Sequence, residues 1–267
     1  MKKFISVLLI LVALSSCSSY QKALKSEDVA VKFDMATKMY EKGKYARAIR
    51  LFEQIAPSYR GKPQAEKMFY MYAKSFYAEK QFYSAGYQFE SFASSYPKSE
   101  KLEEASYLGA VSYSNLSPVY SLDQVDTYKA IDKLQSFINN FPDSQYLAEA
   151  NVKVKFLREK LEKKSFEIAK QYNTTGQYID YNSALIALDN FIADFPGTPF
   201  KEEALFYKLD SSYKLAINSV PAKMQERLLS AKAAYGVLVK FNPNTEFKAK
   251  ADDMLVRIDT DLKQFSK

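Results

Sequence analysis

From Val29 onward the apolar residues fall at spacings of three and four, which gathers them on one face of a helix. The pattern itself repeats. Ala36, Tyr40, Tyr45, Ala48, Phe52, Ile55 and Tyr59 return 37 residues later as Ala73, Tyr77, Phe82, Ala85, Phe89, Phe92 and Tyr96. The second half of this pattern, an alanine, two apolar residues and a closing aromatic, returns as Ala130-Leu134-Phe137-Phe141-Pro142 and as Ala184-Leu188-Phe191-Phe195-Pro196. A looser copy is Ala231-Tyr235-Leu238-Phe241-Asn242-Pro243. Each closing proline ends a helix, because it has no amide donor and disfavours helical dihedrals before it. Two residues after Pro97, which follows Tyr96, and after these three prolines stand Ser99, Ser144, Thr198 and Thr245, each six residues before an alanine: Ala105, Ala150, Ala204 and Ala251. A hydroxyl there is a natural helix N-cap, and the alanine lets the new helix approach its neighbour. The chain thus reads as helix, turn, helix, Pro-x-cap, repeated about five times.

This unit resembles the tetratricopeptide repeat, a pair of antiparallel helices of ~34 residues. Glu41-Lys42-Gly43-Lys44-Tyr45-Ala46-Arg47-Ala48 resembles the turn inside such a pair, and Gly176-Gln177-Tyr178, preceded by Ala169 and Tyr172, looks like another. The expected fold is all-α, a superhelical tetratricopeptide-repeat solenoid. Ala48, Ala85, Ala130 and Ala184 are its structural positions, where a larger side chain would wedge helices apart. Three departures from the repeat are expected: a loop from about 117 to 125, one helix running unbroken from about 145 to 173, and three extra residues before Ala184.

The first residues follow a different pattern. Lys2 and Lys3 precede an apolar run from Phe4 to Leu14, too short to span a bilayer but fitting a secretory signal. It ends in Leu14-Ser15-Ser16-Cys17, which resembles the lipobox of bacterial lipoproteins. That resemblance implies removal of residues 1–16 and acylation of Cys17, the only cysteine of the chain. Several acyl chains anchor a protein stably where one would not, and a label such as palmitate should enter at Cys17. Residues 17–28, polar and without period, read as a tether reaching ~36 Å when extended. Residues 29–143 then hold repeats 1–3, and residues 144–267 hold repeats 4–5 and a capping helix. Ser18, in place of an acidic residue after the cysteine, points by resemblance to the outer membrane, with the domain facing the periplasm.

Composition narrows the function. The net charge of +7 comes from interspersed signs, without the cluster or stripe expected of a nucleic-acid binder. Histidine is absent, so there is no imidazole base and no common metal triad. No phosphate-binding glycine loop and no nucleophile elbow occur. The pairs Glu103-Glu104, Glu202-Glu203 and Asp252-Asp253 fit first turns of helices, where the helix dipole favours them. The expectation is no enzyme, no metal and no cofactor apart from the covalent lipid on Cys17.

What remains is the aromatic content, 21 Tyr and 19 Phe with no Trp. By resemblance to the repeat family, the groove-lining positions fall on Phe33, Thr37 and Tyr40, then on Tyr70, Lys74 and Tyr77. Rings with an interleaved lysine suit an aromatic-rich peptide bearing a carboxylate. A lipoprotein of this length with repeats closed by Tyr/Phe-Pro-x-Ser/Thr resembles the outer-membrane assembly factor BamD family. The densest match runs from Ala169 through Phe195-Pro196-Gly197-Thr198 to Glu202-Glu203-Ala204. The resemblance implies a scaffold subunit of the β-barrel assembly machinery. Its N-terminal repeats would recognise unfolded outer-membrane proteins, and its C-terminal repeats would hold the POTRA domains of a BamA-like barrel. Two alternatives stay open: another periplasmic repeat adaptor, for cell-wall or stress coordination, and a glycan-capture lipoprotein, which the missing Trp disfavours.

Overall fold

A computed structural model describes residues 19–175 and 178–265, with the side chains of Tyr178 and Ile179 excepted; the expected signal at residues 1–16, Cys17 and Gly176-Gln177 of the expected turn lie outside the described residues. Every regular element among the described residues is a helix. A short first helix, α1, covers 19–25. It is followed by α2 (Val29–Glu41), α3 (Tyr45–Tyr59), α4 (Ala65–Ala78), α5 (Phe82–Ser95), α6 (Leu102–Leu116) and α7 (Val125–Asn140). The chain continues with α8 (Leu147–Thr174), α9 (Tyr178–Asp194), α10 (Lys201–Ile217), α11 (Pro221–Phe241) and α12 (Lys248–Leu262), closed by a 3-10 turn at Lys263–Phe265. These are helix pairs of the tetratricopeptide kind. The loop before Val125 and the unbroken 28-residue α8 match the expected departures.

The chain forms two compact units. The first runs to Pro118 and takes in Asp123–Leu157; the second is Val119–Leu122 with the chain from Arg158 onward. The division falls inside α8, not at the turn after residue 143 where the repeat count put it. The reason is packing: the first half of α8 contributes Ala150, Val154 and Leu157 to the core around Leu134 and Phe137. Residues 119–122 join the second unit because Lys164 Nζ donates to the Leu122 carbonyl at 2.6 Å and Lys163 sits 4.6 Å from the Tyr120 ring centre.

The expected tether at 17–28 also needs correction. Residues 19–25 are helical, and Tyr20 (4% exposed) and Ala23 (2%) are buried in the first unit's core beside Leu24. The Tyr20 hydroxyl donates to the Arg47 carbonyl at 3.4 Å, and the Arg47 guanidinium lies 5.3 Å from its ring centre. An i, i+3 pair on seven residues is too short a pattern to show periodicity, so the sequence hid this helix.

The joints between repeats are built alike. Ser99, Ser144, Thr198 and Thr245 accept from the amides two residues on, at 3.0, 3.0, 3.3 and 3.3 Å. They cap a lead-in turn rather than the helix proper; the N-cap of α6 is Lys101, whose side chain makes no capping bond. The hydroxyls also reach backwards. Ser99 donates to Glu66 and Ser144 to Glu103, both at 2.6 Å, and Asn242 donates to Glu202 at 3.0 Å. Glu103 and Glu202 are therefore more than dipole partners: each staples its repeat to the next cap. Ala48, Ala85, Ala130 and Ala184 are fully buried, as are Ala36, Ala73 and Ala105.

Candidate functional site

The first helix of each repeat carries three columns of side chains set by the repeat register. The first column is Phe33, Tyr70, Tyr107, Phe166 and Phe206, and its last four members belong to the inter-repeat joints. Tyr107 stacks on Tyr146 (4.4 Å between centres, 6° between planes), Phe166 on Phe200 (5.6 Å, 7°) and Phe206 on Phe247 (4.2 Å, 12°). In each pair the second ring stands two residues after the Ser/Thr cap. In the second repeat that place is held by Lys101, whose ammonium lies 5.7 Å from the Tyr70 ring centre. Phe33, expected in the groove, is instead core: it is 5% exposed and stacked on Tyr59 at 5.0 Å. Its apolar ring gains more from burial than from lining an open surface.

The third column holds Tyr40 and Tyr77, half-buried. Their rings meet the first aromatic of the following helix edge-on, Tyr40 with Tyr45 at 5.6 Å and Tyr77 with Phe82 at 5.8 Å. Between them, the second column has Thr37, whose Oγ1 is buried without a hydrogen-bond partner, and Lys74.

Lys74 sits in a cluster the sequence did not reveal. Its Nζ donates to Glu104 at 3.1 Å, Lys101 Nζ lies 3.5 Å from the other oxygen of Glu104, and Lys74 is 6.0 Å from the Tyr70 ring centre. Burial opposes ionisation of Glu104, yet hydrogen bonds from Tyr70 and Lys74 and the two lysine charges hold its carboxyl below the usual range. The same carboxylate, with burial as the larger cause, pushes the Tyr70 hydroxyl well up. One repeat on, Glu149 is held low by Tyr107 first and by Lys153, 3.3 Å away. Glu104 and Glu149 each stand directly before a capping-distance alanine, Ala105 or Ala150, and Glu203 does so before Ala204. That Glu-Ala recurrence was the available signal. Glu203 also reaches back to the preceding repeat, accepting from Lys170 at 2.8 Å.

In the second unit the same columns carry Lys170 with Asn173, and Asp210 with Tyr213. Asn173 (2% exposed) donates to Asp210 at 2.7 Å and to Ser211 at 2.9 Å, and Lys214 pairs with Asp210 at 2.6 Å. A cavity of 640 Å³ opens here, lined by Asn173, Phe206, Asp210, Tyr213, Lys214 and Lys250 among others. In the first unit, a cavity of 780 Å³ opens away from the groove columns, among Glu53, Arg60, Phe69, Tyr72, Tyr87 and Tyr96. No group of three or more metal-ligating side chains occurs among the described residues. None of their helices is long and apolar enough to cross a membrane.

These joints and columns can be set beside known proteins. A family model described as an outer membrane lipoprotein, YfiO, matches residues 26–180, more than half of the chain. The chain belongs to the YfiO family of outer membrane lipoproteins. Residues 1–18 match the prokaryotic membrane lipoprotein lipid attachment site, so this YfiO-family chain is lipid-anchored. It is similar to the outer membrane protein assembly factor BamD of Rickettsia prowazekii, 25% identical over 221 residues, covering 80% of this chain and 84% of that protein. It is also similar to BamD of Caulobacter vibrioides (20% over 218 residues, 80% and 70% covered) and to a putative BamD of Aquifex aeolicus (28% over 210 residues, 76% and 66% covered). The YfiO match spans the first-unit columns and ends inside α9.

Proposed function

We propose that this chain is a non-enzymatic scaffold subunit of the outer-membrane β-barrel assembly machinery, held by acyl chains on Cys17 and facing the periplasm. Its first-unit columns bind segments of unfolded barrel proteins, and its second unit receives the POTRA domains of a BamA-like barrel. The relatives named as BamD support the assembly role. The observation that carries the binding role is the Tyr70–Lys74–Lys101–Glu104 cluster: two ammonium groups share one carboxylate, leaving a net positive charge beside half-buried rings. A terminal carboxylate on an aromatic-rich segment would compete with Glu104 for Lys74 and Lys101 through charge-assisted hydrogen bonds, while its rings lie against Tyr40 and Tyr77.

Affinity purification of the tagged, detergent-extracted protein tests the assembly role. A POTRA-bearing barrel recovered at near-equal amount is the expected result. Cell-wall enzymes or a nutrient transporter coming down instead would defeat it in favour of an adaptor or a glycan-capture lipoprotein. For the client site, Lys74→Glu should lose crosslinking to a peptide with a C-terminal aromatic residue while the barrel partner is still recovered. Labelled palmitate should enter the native protein and fail to enter Cys17→Ala.

A further inference from the structure

We propose that the first repeat is held with its α2–α3 turn against anionic phospholipid headgroups, and that Tyr20 sets this orientation. The inference rests on acylation of Cys17 as read above. Only Ser18 and Ser19 separate Cys17 from Tyr20, so the acylated residue stays within about 10 Å of the tyrosine however the intervening chain runs. Tyr20 itself is fixed: it is buried, its ring lies under Arg47, and its hydroxyl donates to the Arg47 carbonyl. Arg47 stands in the first turn of α3, directly after the α2–α3 turn. The acyl chains therefore enter the bilayer beside that turn, and the ~36 Å of slack that an unfolded tether would give is absent.

The charge at this end suits the surface it meets. Lys42 and Lys44 are exposed in the α2–α3 turn, and Lys80 is exposed in the corresponding α4–α5 turn. The two turns are neighbours, because the Ala46 amide donates to Glu79 at 3.1 Å. Glu41 and Glu79 are the carboxylates there; Glu79 is engaged with that amide, and the lysines outnumber the pair. Basic groups this close to a bilayer are drawn to anionic lipid within a Debye length. The other end of the second repeat, at the α5–α6 connection with exposed Lys98, is separated from the α4–α5 turn by the 14 residues of α5, about 20 Å.

The test uses the full-length lipidated protein in vesicles of phosphatidylethanolamine and phosphatidylglycerol. With Cys17 acylated the chain has no other thiol, so Ala46→Cys, at an exposed and uncharged position in the first turn of α3, or Lys98→Cys provides a single spin-label site. A relaxation agent chelated to lipid headgroups should act at least about threefold more strongly on position 46 than on 98. A ten-residue Gly-Ser insertion between Ser18 and Ser19, which leaves the Tyr20 contacts in place, should bring the two positions towards equality. Tyr20→Ala should do the same, with circular dichroism checking that the helices remain. Equal relaxation in the uninserted protein would overturn the proposal, as would a preference that survives both variants. A preference unchanged in pure phosphatidylcholine would overturn the role of anionic headgroups. Palmitate incorporation on the same preparations separates the two readings: absence of label defeats acylation at Cys17, whereas label with equal relaxation defeats the orientation alone.

Discussion

Tyr107 in the first unit and Phe166 and Phe206 in the second occupy one register position and do one job. Each lays its ring flat on an aromatic that follows the next Ser/Thr cap. One and two helical steps away, the units part company. The first unit places Thr37, Lys74, Tyr40 and Tyr77 there, with Lys74 drawn into a partly exposed cluster around Glu104. The second places Lys170, Asn173, Asp210 and Tyr213, with Asn173 and Asp210 locked into a buried hydrogen-bonded network. The stacking column holds repeats together through a flat ring on a ring or, at Lys101, a cation over one. The neighbouring columns are free of that duty, and there the two units have diverged into different surfaces.

The comparison can be broken most forcefully at the shared column. Phe166→Ala and Tyr107→Ala should each cost about 3–5 kcal/mol in urea unfolding; a loss in one unit with none in the other would refute a common joint. The divergent columns come next. Asp210→Ala strips Asn173 and Lys214 of their acceptor in a buried site and should cost about 2 kcal/mol, whereas Glu104→Ala, at a half-exposed pair, should stay below about 1 kcal/mol. Within the first unit, Gly43 has φ +66° and its counterpart 37 residues on, Lys80, has φ +57°. Lys80→Gly should therefore stabilise by about 1 kcal/mol, since a Cβ is disfavoured in that left-handed region. The smallest effect is a pH dependence. The Glu104 carboxyl is held below its ordinary 4.5 in the folded chain, so its contribution is present above that value and is lost as pH falls through the depressed one. Glu104→Gln should thus be slightly less stable than the native protein at pH 6, and the gap should close in acid; a gap that widens would mean the carboxyl is not held low.

Much of the fold was legible because burial writes a period. Ala48, Ala85, Ala130 and Ala184 stand out as the small residues of a spaced apolar face, and all four are buried. The loop before Val125 and the fused helix α8 showed as breaks in that period. The candidate site was less legible. The register gave the three columns but not their division of labour, so Phe33 was placed in a groove when Tyr59 covers it. The tertiary roles of Glu104 and Glu149 were hidden because an acidic residue in a first turn has a sufficient local explanation in the helix dipole, and Lys101 stands just before such a helix where later repeats carry a ring. Their partners lie 30 or more residues away in Tyr70, Lys74 and Tyr107. Close approach was equally silent: a Cβ on Gly86 would come within 3.0 Å of the Tyr113 ring, a constraint set by how α5 meets α6.

By itself, then, the sequence determined the helices from α2 onward, their pairing into repeats, the Ser/Thr turns that lead into them and the lipid attachment motif, since each of these is set by residues within one or two turns of one another. Only the tertiary structure decided that Tyr20 is clasped by Arg47, that the Glu-Ala carboxylates bridge successive repeats, and that the units divide within α8 after Leu157. The physical reason is range: hydrophobic period and capping act along the chain, while ion pairs, ring stacks and docked ends join residues that only folding brings within 3–6 Å.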